Sequence, residues 1–248
     1  MHHRLCKWSF LLLLACVSWG LRADPLLLVT ANYPPFSQEE NGQQKGIAVA
    51  LIKAAFDRMN QPVKVEFVPF ARAIEMVKTG EADGIFPFAM SEERKVFAHF
   101  SGEKLIIDPG SLFVRADSTL NFDGDYARLN PYVIGMQRGT SHGPAFMQAL
   151  KTYNIKTDLA ENQERNIAKL LAGRFDIVVG PRLVVLHAAR QLGKENEIKL
   201  LYSGVSEGYA YLGMSKQRQH EAVLQEFDKT IRAMRQDGSY DKIVTGMR

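Results

Sequence analysis

Cysteine is almost missing from this 248-residue sequence. Its two cysteines, Cys6 and Cys16, both lie within the first 23 residues, so the chain after them can form neither a disulfide framework nor a cysteine-ligated metal site. The sequence also lacks the H-E-x-x-H motif of zinc hydrolases and the phosphate-binding P-loop. We therefore predict no metal, no cofactor and no catalytic residue.

The first 23 residues have the features of a secretion signal. Two cations precede an apolar stretch over residues 10–17, which is too short to span a bilayer as a helix, and Ala23 supplies the small residue before a cleavage site. A competing interpretation is a lipoprotein signal, because the stretch from Leu13 to Cys16 loosely resembles one and Cys16 would then carry the lipid. We favour cleavage after Ala23 and a free periplasmic protein over an anchor at Cys16.

The chain after Ala23 is nearly neutral and contains no run of 18 apolar residues. Removal of the first 23 residues would take away three cations and no acid, which leaves 28 Lys and Arg against 27 Asp and Glu, a net charge of +1. Neither a nucleic acid nor an anionic membrane is implied as a partner by that balance. We expect a soluble chain that binds a small molecule and no nucleic acid.

Strand and helix patterns alternate along the chain, which predicts an α/β fold with largely parallel sheets. Residues 26–30 form a short apolar strand, and Val63, Val65 and Phe67 alternate with charged residues as in a second strand. Between them, apolar residues keep helical spacing over residues 47–59. Further strands are predicted at residues 85–88, 105–107, 132–136, 155–159 and 177–179.

Two stretches share one construction, in which a helix, a glycine and an aspartate precede a buried strand. Gly80 and Asp83 lie before one predicted strand, and Gly173 and Asp176 lie before another at the same spacing. A glycine can adopt the positive φ that ends such a helix. This unit is common in α/β proteins, but its repetition suggests two lobes of similar construction.

Six short motifs follow one another along the chain. They are Tyr33-Pro34-Pro35-Phe36, Gly46, Gly80-Glu81-Ala82-Asp83, Ser91-Glu92-Glu93-Arg94, Gly139-Thr140-Ser141 and Asp237-Gly238-Ser239-Tyr240-Asp241-Lys242-Ile243. Each motif is weak alone, but in this order and spacing they resemble the bacterial extracellular solute-binding proteins of family 3, best known as amino-acid receptors of ABC importers. The resemblance runs through nearly the whole chain after residue 23.

The resemblance implies the periplasmic-binding-protein type 2 fold. In it, two α/β lobes are joined by two hinge crossovers of the chain and close around a ligand. Residues 24–113 plus 211–248 would form the first lobe and residues 114–210 the second. The crossovers would lie near Phe113–Arg115 and Tyr209–Met214. We expect a monomer whose membrane partner is an ABC permease or a sensor.

Arg94 is the leading candidate for ligand binding, because in the family the arginine of this motif holds the carboxylate of the ligand. A guanidinium presents a planar fork of donors that matches a carboxylate. Without the motif, Arg94 would be interpreted as a surface residue on a helix that begins at Ser91. Thr140 and Ser141 are the matching contacts from the second lobe, where free backbone N–H groups before a helix can bind an anion. The same two residues could also be ordinary helix caps.

Tyr33, Phe36 and Phe70 are predicted to form the walls of the site, since ligand pockets are mostly apolar. Core packing accounts equally well for Phe36 and Phe70. Arg72 and Ser91 complete the candidate set. Arg72 lies at the start of a helix and could reach the cleft, although a solvated helix face is the more common fate of such a residue.

Four positions depart from the amino-acid binders of the family. Five residues after Asp176, where those proteins carry an aspartate for the ammonium of the ligand, this chain has Pro181. Pro87 and Ala89 stand where hydroxyl residues often help, and Thr30 stands where an acid is often found. A buried ammonium without an acceptor would be costly. The ligand is therefore not an ordinary α-amino acid, or its amine is met otherwise, for instance by cation–π contact with an aromatic wall.

These features favour a solute-binding protein that captures a small carboxylate-bearing molecule, an amino acid or a related organic acid, and performs no chemistry. Two alternatives stay open. A sensory module would present the bound ligand to a membrane receptor. An enzyme resembling periplasmic cyclohexadienyl dehydratases would transform the ligand in the same cleft, with Glu75, Glu207 or His142 as general acid or base.

Overall fold

The structure is a computed structural model, and it describes residues 24–138, 140 and 142–246. The predicted secretion signal and its alternative, an anchor at Cys16, fall outside these residues and stay predictions. Within the described part of the chain, no helix is both long and apolar enough to cross a membrane. The same residues include no group of three or more His, Cys, Asp or Glu side chains arranged to hold a metal ion.

Strands and helices alternate along the described residues, as the sequence pattern predicts. The strands are β1 (Leu26–Thr30), β2 (Gln38–Glu40), β3 (Gln43–Lys45), β4 (Val63–Phe67), β5 (Gly84–Phe88), β6 (Ala98–Phe100), β7 (Ile106–Ile107), β8 (Gly110–Arg115), β9 (Val133–Gln137), β10 (Lys156–Ala160), β11 (Ile177–Pro181), β12 (Ile198–Ser206) and β13 (Tyr209–Ser215). The α-helices are α1 (Ile47–Arg58), α2 (Phe70–Thr79), α3 (Glu92–Lys95), α4 (Pro144–Thr152), α5 (Gln163–Leu171), α6 (Arg182–Gln191), α7 (Glu221–Gln236) and α8 (Ser239–Gly246).

The strands build two main sheets, and the chain passes between them twice. The first sheet has the order β4-β1-β5-β13-β6, with β7 also paired to β13, and the second has the order β10-β9-β11-β8-β12. In each sheet three neighbouring strands run parallel, and the next strand, β13 or β8, runs antiparallel to them. The predicted α/β fold is confirmed. The expectation of largely parallel sheets is confirmed as well. Because β6 is antiparallel to β13 and β12 is antiparallel to β8, both run in the direction of the parallel strands, and only β13 or β8, where the chain enters from the other sheet, is reversed.

Each main sheet, with the helices packed on it, forms one lobe; we call them lobe 1 (first sheet) and lobe 2 (second sheet). The chain leaves lobe 1 between β7 and β8 and returns between β12 and β13. The predicted boundaries, after residue 113 and before residue 211, fall inside β8 and β13. Since β8 pairs with β11 on one side and β12 on the other, it belongs wholly to lobe 2. Sheet pairing therefore places the crossovers at residues 108–109 and 207–208.

The repeated helix–glycine–aspartate unit is present in both lobes. Gly80 and Gly173 follow α2 and α5 with φ values of 76° and 69°, a conformation that favours glycine. A carboxylate oxygen of Asp83 then accepts a backbone N–H of β1 at 2.8 Å, and one of Asp176 accepts a backbone N–H of β9 at 3.2 Å. In each lobe the aspartate thus ties the start of one strand to its parallel neighbour.

Each lobe has an apolar core of its own. In lobe 1, α1 packs against α7 and α8, and the buried rings of Phe56 and Phe227 lie 5.8 Å apart. In lobe 2, Phe146 of α4 and Val179 of β11 are fully buried in a separate cluster. The C-terminal helices therefore belong to lobe 1, although the chain reaches them only after passing through lobe 2.

The two crossovers lie side by side. The Asp108 N–H donates to the Gly208 carbonyl at 2.9 Å, with β7 paired to β13 on one side and β8 to β12 on the other. Gly208 has a φ of 62°, and a Cβ atom there would collide with the Asp108 carbonyl. Only glycine therefore permits this close approach, which joins the lobes by a two-stranded ribbon.

Candidate ligand-binding cleft

A cleft of about 550 Å³ is lined by residues of both lobes and of the two crossovers. Its volume falls within the range of about 300–1,000 Å³ that small-molecule sites occupy. Apolar and aromatic side chains share the lining with a smaller set of polar ones. The polar or ionisable lining residues are Thr30, Asn32, Tyr33, Ser37, Arg94, Asp108, Gln137, Thr140, His142, Ser206 and Tyr209.

Arg94 reaches the cleft from α3, where the Oγ of Ser91 caps the helix by accepting the Arg94 N–H at 3.3 Å. The guanidinium carbon lies 4.4 Å from the ring centroid of Phe88 and 5.4 Å from that of Phe70, and Nη1 donates to the Ala89 carbonyl at 2.7 Å. Partial burial lowers the pKa of Arg94, but a guanidinium stays protonated at neutral pH. Arg94 forms no ion pair with a carboxylate of the described residues, so its charge is available to an anion.

The predicted aromatic walls all line the cleft but differ in exposure. Tyr33 and Phe70 are 45% and 43% exposed, whereas Phe36 is 2% exposed and packs with its ring 5.4 Å from that of Tyr33. Phe36 is therefore both a core residue and a lining residue. Desolvation and the charge of Asp108 raise the pKa of Tyr33 to about 12, so Tyr33 is a neutral phenol at neutral pH.

Two of the predicted site residues, Arg72 and Ser91, are not among the residues that line the cleft. Nη2 of Arg72 lies 2.5 and 2.6 Å from the two carboxylate oxygens of Glu81, on an exposed part of lobe 1. The Ser91 side chain caps α3 by accepting the backbone N–H of Arg94, and so stabilises the helical turn that carries Arg94. The structure gives both residues a role within lobe 1.

Lobe 2 brings Thr140 and His142 to the cleft, whereas Gly139 and Ser141 lie outside the described residues. The Thr140 hydroxyl donates to the Gln137 carbonyl at 2.7 Å and lies 3.0 Å from Nε2 of His142. Since the hydroxyl has one proton, both contacts require His142 to donate from Nε2. Burial lowers the pKa of His142 to about 4, which keeps the imidazole in this neutral form.

Residues 139–143, Gly-Thr-Ser-His-Gly, also match the pattern G-x-S-x-G. In α/β-hydrolases this pattern places a nucleophilic serine between a strand and a helix, and here the stretch likewise lies between β9 and α4. The prediction of no catalytic residue rested in part on the absence of this pattern, which residues 139–143 contradict. Ser141 falls outside the described residues, and His142 is already hydrogen-bonded to Thr140.

Asp108 is an ionisable cleft residue that the sequence motifs did not single out. It is 4% exposed; Oδ1 accepts the Leu183 N–H at 2.9 Å, and Oδ2 has no hydrogen-bond partner among the described residues. Burial raises the pKa of Asp108 to about 6, opposed by backbone N–H groups at the start of α6 and by the charge of Arg182. Asp108 precedes Pro109 and Gly110 between two apolar runs, which is also typical of an ordinary turn, so no local motif marks it as a cleft residue.

The four positions that depart from the family pattern, Thr30, Pro87, Ala89 and Pro181, all line the cleft. None of these side chains carries a charge. Among the described residues, the only carboxylate in the lining is therefore that of Asp108.

Two α/β lobes joined by two crossovers, with a ligand-sized cleft between them, define the periplasmic-binding-protein type 2 fold. The family model for bacterial extracellular solute-binding proteins, family 3, matches residues 27–246. The chain belongs to this family, as the sequence motifs predicted.

Individual relatives agree with this assignment. The ABC transporter arginine-binding protein 1 of Escherichia coli (strain K12) is 26% identical over 240 residues, which cover 93% of this chain and 94% of the relative. Substrate-binding domain 2 of Lactococcus lactis GlnP, in an open conformation, has a TM-score of 0.74 at 20% identity, with 90% of this chain and 95% of that chain covered. A histidine kinase sensor domain with similarity to periplasmic binding proteins has a TM-score of 0.67 at 18% identity, with 91% and 96% covered. At these identities the two structures show the fold alone.

Proposed function

We propose that this protein captures a small carboxylate-bearing solute, an amino acid or a related organic acid, and delivers it to an ABC importer. The observation that carries the proposal is the Arg94 guanidinium, which lines the cleft without a carboxylate partner from the described residues. A planar guanidinium binds a carboxylate through two parallel hydrogen bonds. The aromatic rings beside it supply the apolar surface that a small ligand needs.

The relatives support a role in amino-acid uptake. The Escherichia coli relative is an arginine-binding protein of an ABC transporter, and the Lactococcus lactis relative is a substrate-binding domain. The predicted secretion signal would bring the protein to the periplasm, where a binding protein meets its permease. We propose that it acts there as a monomer of two lobes; a membrane sensor in place of the permease would use the same binding event.

Capture would work by closure of the lobes about the paired crossovers. Arg94 and the aromatic walls belong to lobe 1, whereas Thr140 belongs to lobe 2. A ligand that contacts both lobes binds the closed arrangement better and so shifts the population toward it. Exclusion of water on closure then strengthens the contact between guanidinium and carboxylate.

Replacement of Arg94 tests the proposal. A thermal-shift screen of amino acids, organic acids and amines first identifies the tightest carboxylate, which is then titrated calorimetrically. Arg94→Ala leaves the carboxylate without its partner, at a cost of about 2–4 kcal/mol, so affinity should fall by roughly 30- to 1,000-fold. Arg94→Lys should restore only part of this loss, because an ammonium lacks the planar fork.

Arg72→Ala is the matched control, since it removes another arginine of lobe 1 that pairs with Glu81 and does not line the cleft. It should bind the same compound as tightly as the parent. An Arg94→Ala protein that is folded and binds like the parent would show that the carboxylate is held elsewhere.

A second candidate function is catalysis in the cleft. It is favoured by Asp108, whose pKa of about 6 suits a general acid, and by the G-x-S-x-G match at residues 139–143. We favour binding without chemistry, because Glu75 and Glu207 do not line the cleft and His142 is held by Thr140. The test is whether the protein forms product from prephenate, arogenate or p-nitrophenyl acetate. Turnover that is lost in Asp108→Asn or Ser141→Ala would show that the protein is an enzyme.

A further inference from the structure

Two side-chain atoms of the described residues are buried without a hydrogen-bond partner, and they differ in position and chemistry. Oδ1 of Asn166 belongs to a neutral amide in α5, whose other end donates to Gln163. Oδ2 of Asp108 belongs to an ionisable carboxyl in the lining of the cleft. A buried carboxylate oxygen without a donor is unfavourable. A hydrogen-bond donor on a ligand could pair with Oδ2 of Asp108, to which no described side chain donates.

Asp108 is held in place from two directions. Its backbone N–H donates to the Gly208 carbonyl in the second crossover, and Oδ1 accepts the Leu183 N–H in the first turn of α6, both at 2.9 Å. The N-cap residue of α6 is Pro181, which has no side-chain oxygen, so Asp108 caps this helix from outside. Helix capping uses one carboxylate oxygen and leaves the other unpaired.

The carboxyl of Asp108 lies beside the position from which amino-acid binders of the family supply an acid. That position is Pro181 here, and Pro181 is both the N-cap of the helix that Asp108 caps and the strand partner of Gly110. The first crossover therefore brings an acid next to the position where β11 has none. Together with Arg94, it gives the cleft one cation and one carboxylate, which complement a zwitterion.

We propose that Asp108 is the acceptor for a cationic amine of the ligand, and that the ligand is an α-amino acid or another carboxylate with a nearby amine. This inference rests on the proposed function, because it assigns the second charge of the same site. Of the two alternatives that the sequence leaves open, it takes the second, an amine met otherwise than by an acid at position 181, and assigns the contact to Asp108 instead of an aromatic ring. Asp108 interacts with Tyr33 of lobe 1 and with the start of α6 in lobe 2, so hinge movement about the crossovers would change the access of a ligand to its carboxyl.

The test compares amino acids with carboxylic acids that differ from them only in lacking the amine. Proteinogenic amino acids and their desamino counterparts, for example L-glutamine with glutaramate and L-arginine with 5-guanidinopentanoate, are titrated calorimetrically at about pH 8, where Asp108 is ionised. Each pair is measured on the parent and on Asp108→Asn, which keeps an oxygen for the Leu183 N–H and loses the charge. Asp125→Asn is the matched control, because Asp125 also caps a helical turn, through the Ala127 N–H at 3.0 Å, and does not line the cleft.

The parent should bind at least one amino acid roughly 10- to 100-fold more tightly than its desamino counterpart. Asp108→Asn should lose most of this preference and bind the desamino acid like the parent, whereas Asp125→Asn should keep the preference. An amine preference that survives Asp108→Asn would overturn the inference. So would a parent that binds carboxylic acids but no amino acid, a result that leaves the proposed function intact. A parent that binds no carboxylate of the panel would contradict both.

Discussion

The Asp108 carboxyl affects folding as well as ligand binding. Burial raises its pKa to about 6, and the charged or titratable groups that face it are Arg182 and the phenol of Tyr33. A rise of the pKa from the ordinary aspartate value of 3.8 to about 6 means that the folded state loses about 3 kcal/mol of stability when the carboxyl ionises. A residue that weakens the fold at neutral pH is more readily explained by ligand binding than by stability.

We therefore expect Asp108→Asn to stabilise the ligand-free protein at neutral pH. Because the folded pKa is raised, the unfolded chain ionises first as pH increases, and the parent loses stability from about pH 4 to above pH 6. The asparagine variant has no such loss. It should be about 1–3 kcal/mol more stable than the parent at about pH 7.5 and nearly equal to it at about pH 4. Urea unfolding followed by circular dichroism at both pH values measures the difference.

A variant less stable than the parent at about pH 7.5 would contradict this prediction. It would show that the ionised carboxylate acts mainly as the cap of α6.

Asp108 and Arg94 also differ in how far the sequence reveals them. Arg94 belongs to a local motif, and Ser91 three residues earlier caps the helix that presents it, so its place could be predicted. Tyr33, Phe36, Phe70 and Thr140 were predicted in the same way and line the cleft. Asp108 is buried only because two crossovers far apart in sequence lie side by side, and no local pattern encodes that pairing.

At the scale of helices and strands, Asp83 connects three elements of lobe 1. It follows α2, its Oδ2 accepts the Leu27 N–H of β1 at 2.8 Å, and its Oδ1 lies 2.8 Å from Nε2 of His220, just before α7. The start of α7 is therefore tied to the first strand through a single carboxylate.

Asp83→Ala should destabilise the protein by about 1–3 kcal/mol, because it leaves the Leu27 N–H without its partner in a partly buried place. Asp57→Ala, on an exposed position of α1, is the control and should change stability by less than about 0.5 kcal/mol. Urea unfolding of the three proteins at neutral pH gives the comparison. Equal stability of Asp83→Ala and Asp57→Ala would remove the structural role assigned to this aspartate.

The elements that could be predicted are those with a local signature. The strands at β1, β4, β5, β9, β10 and β11 follow from alternation or from short apolar runs, and α2 and α5 end at glycines. The partners of β8 and β13 could not be predicted, because each of these strands enters a sheet whose other strands lie in distant parts of the chain. The exact residues of the two crossovers depend on the same long-range pairing and could not be predicted from the sequence either.

At the scale of the whole molecule, the cleft is built by segments that only the complete fold brings together. Arg94 comes from lobe 1, Thr140 and Pro181 from lobe 2, and Asp108 from the ribbon that joins them. A carboxylate on Arg94 and an amine on Asp108 would place one ligand against both a lobe and the hinge. Closure would then be driven by the further contacts that the same ligand makes with Thr140 and Pro181 of lobe 2 when the lobes approach.

The most direct test of this account is a crystal structure of the protein with the amino acid that binds most tightly in calorimetry. We predict that the ligand lies in the cleft between closed lobes, with its carboxylate paired to the Arg94 guanidinium and its ammonium on Oδ2 of Asp108. A ligand bound outside the cleft, or one whose carboxylate is held by groups other than Arg94, would contradict the central claim.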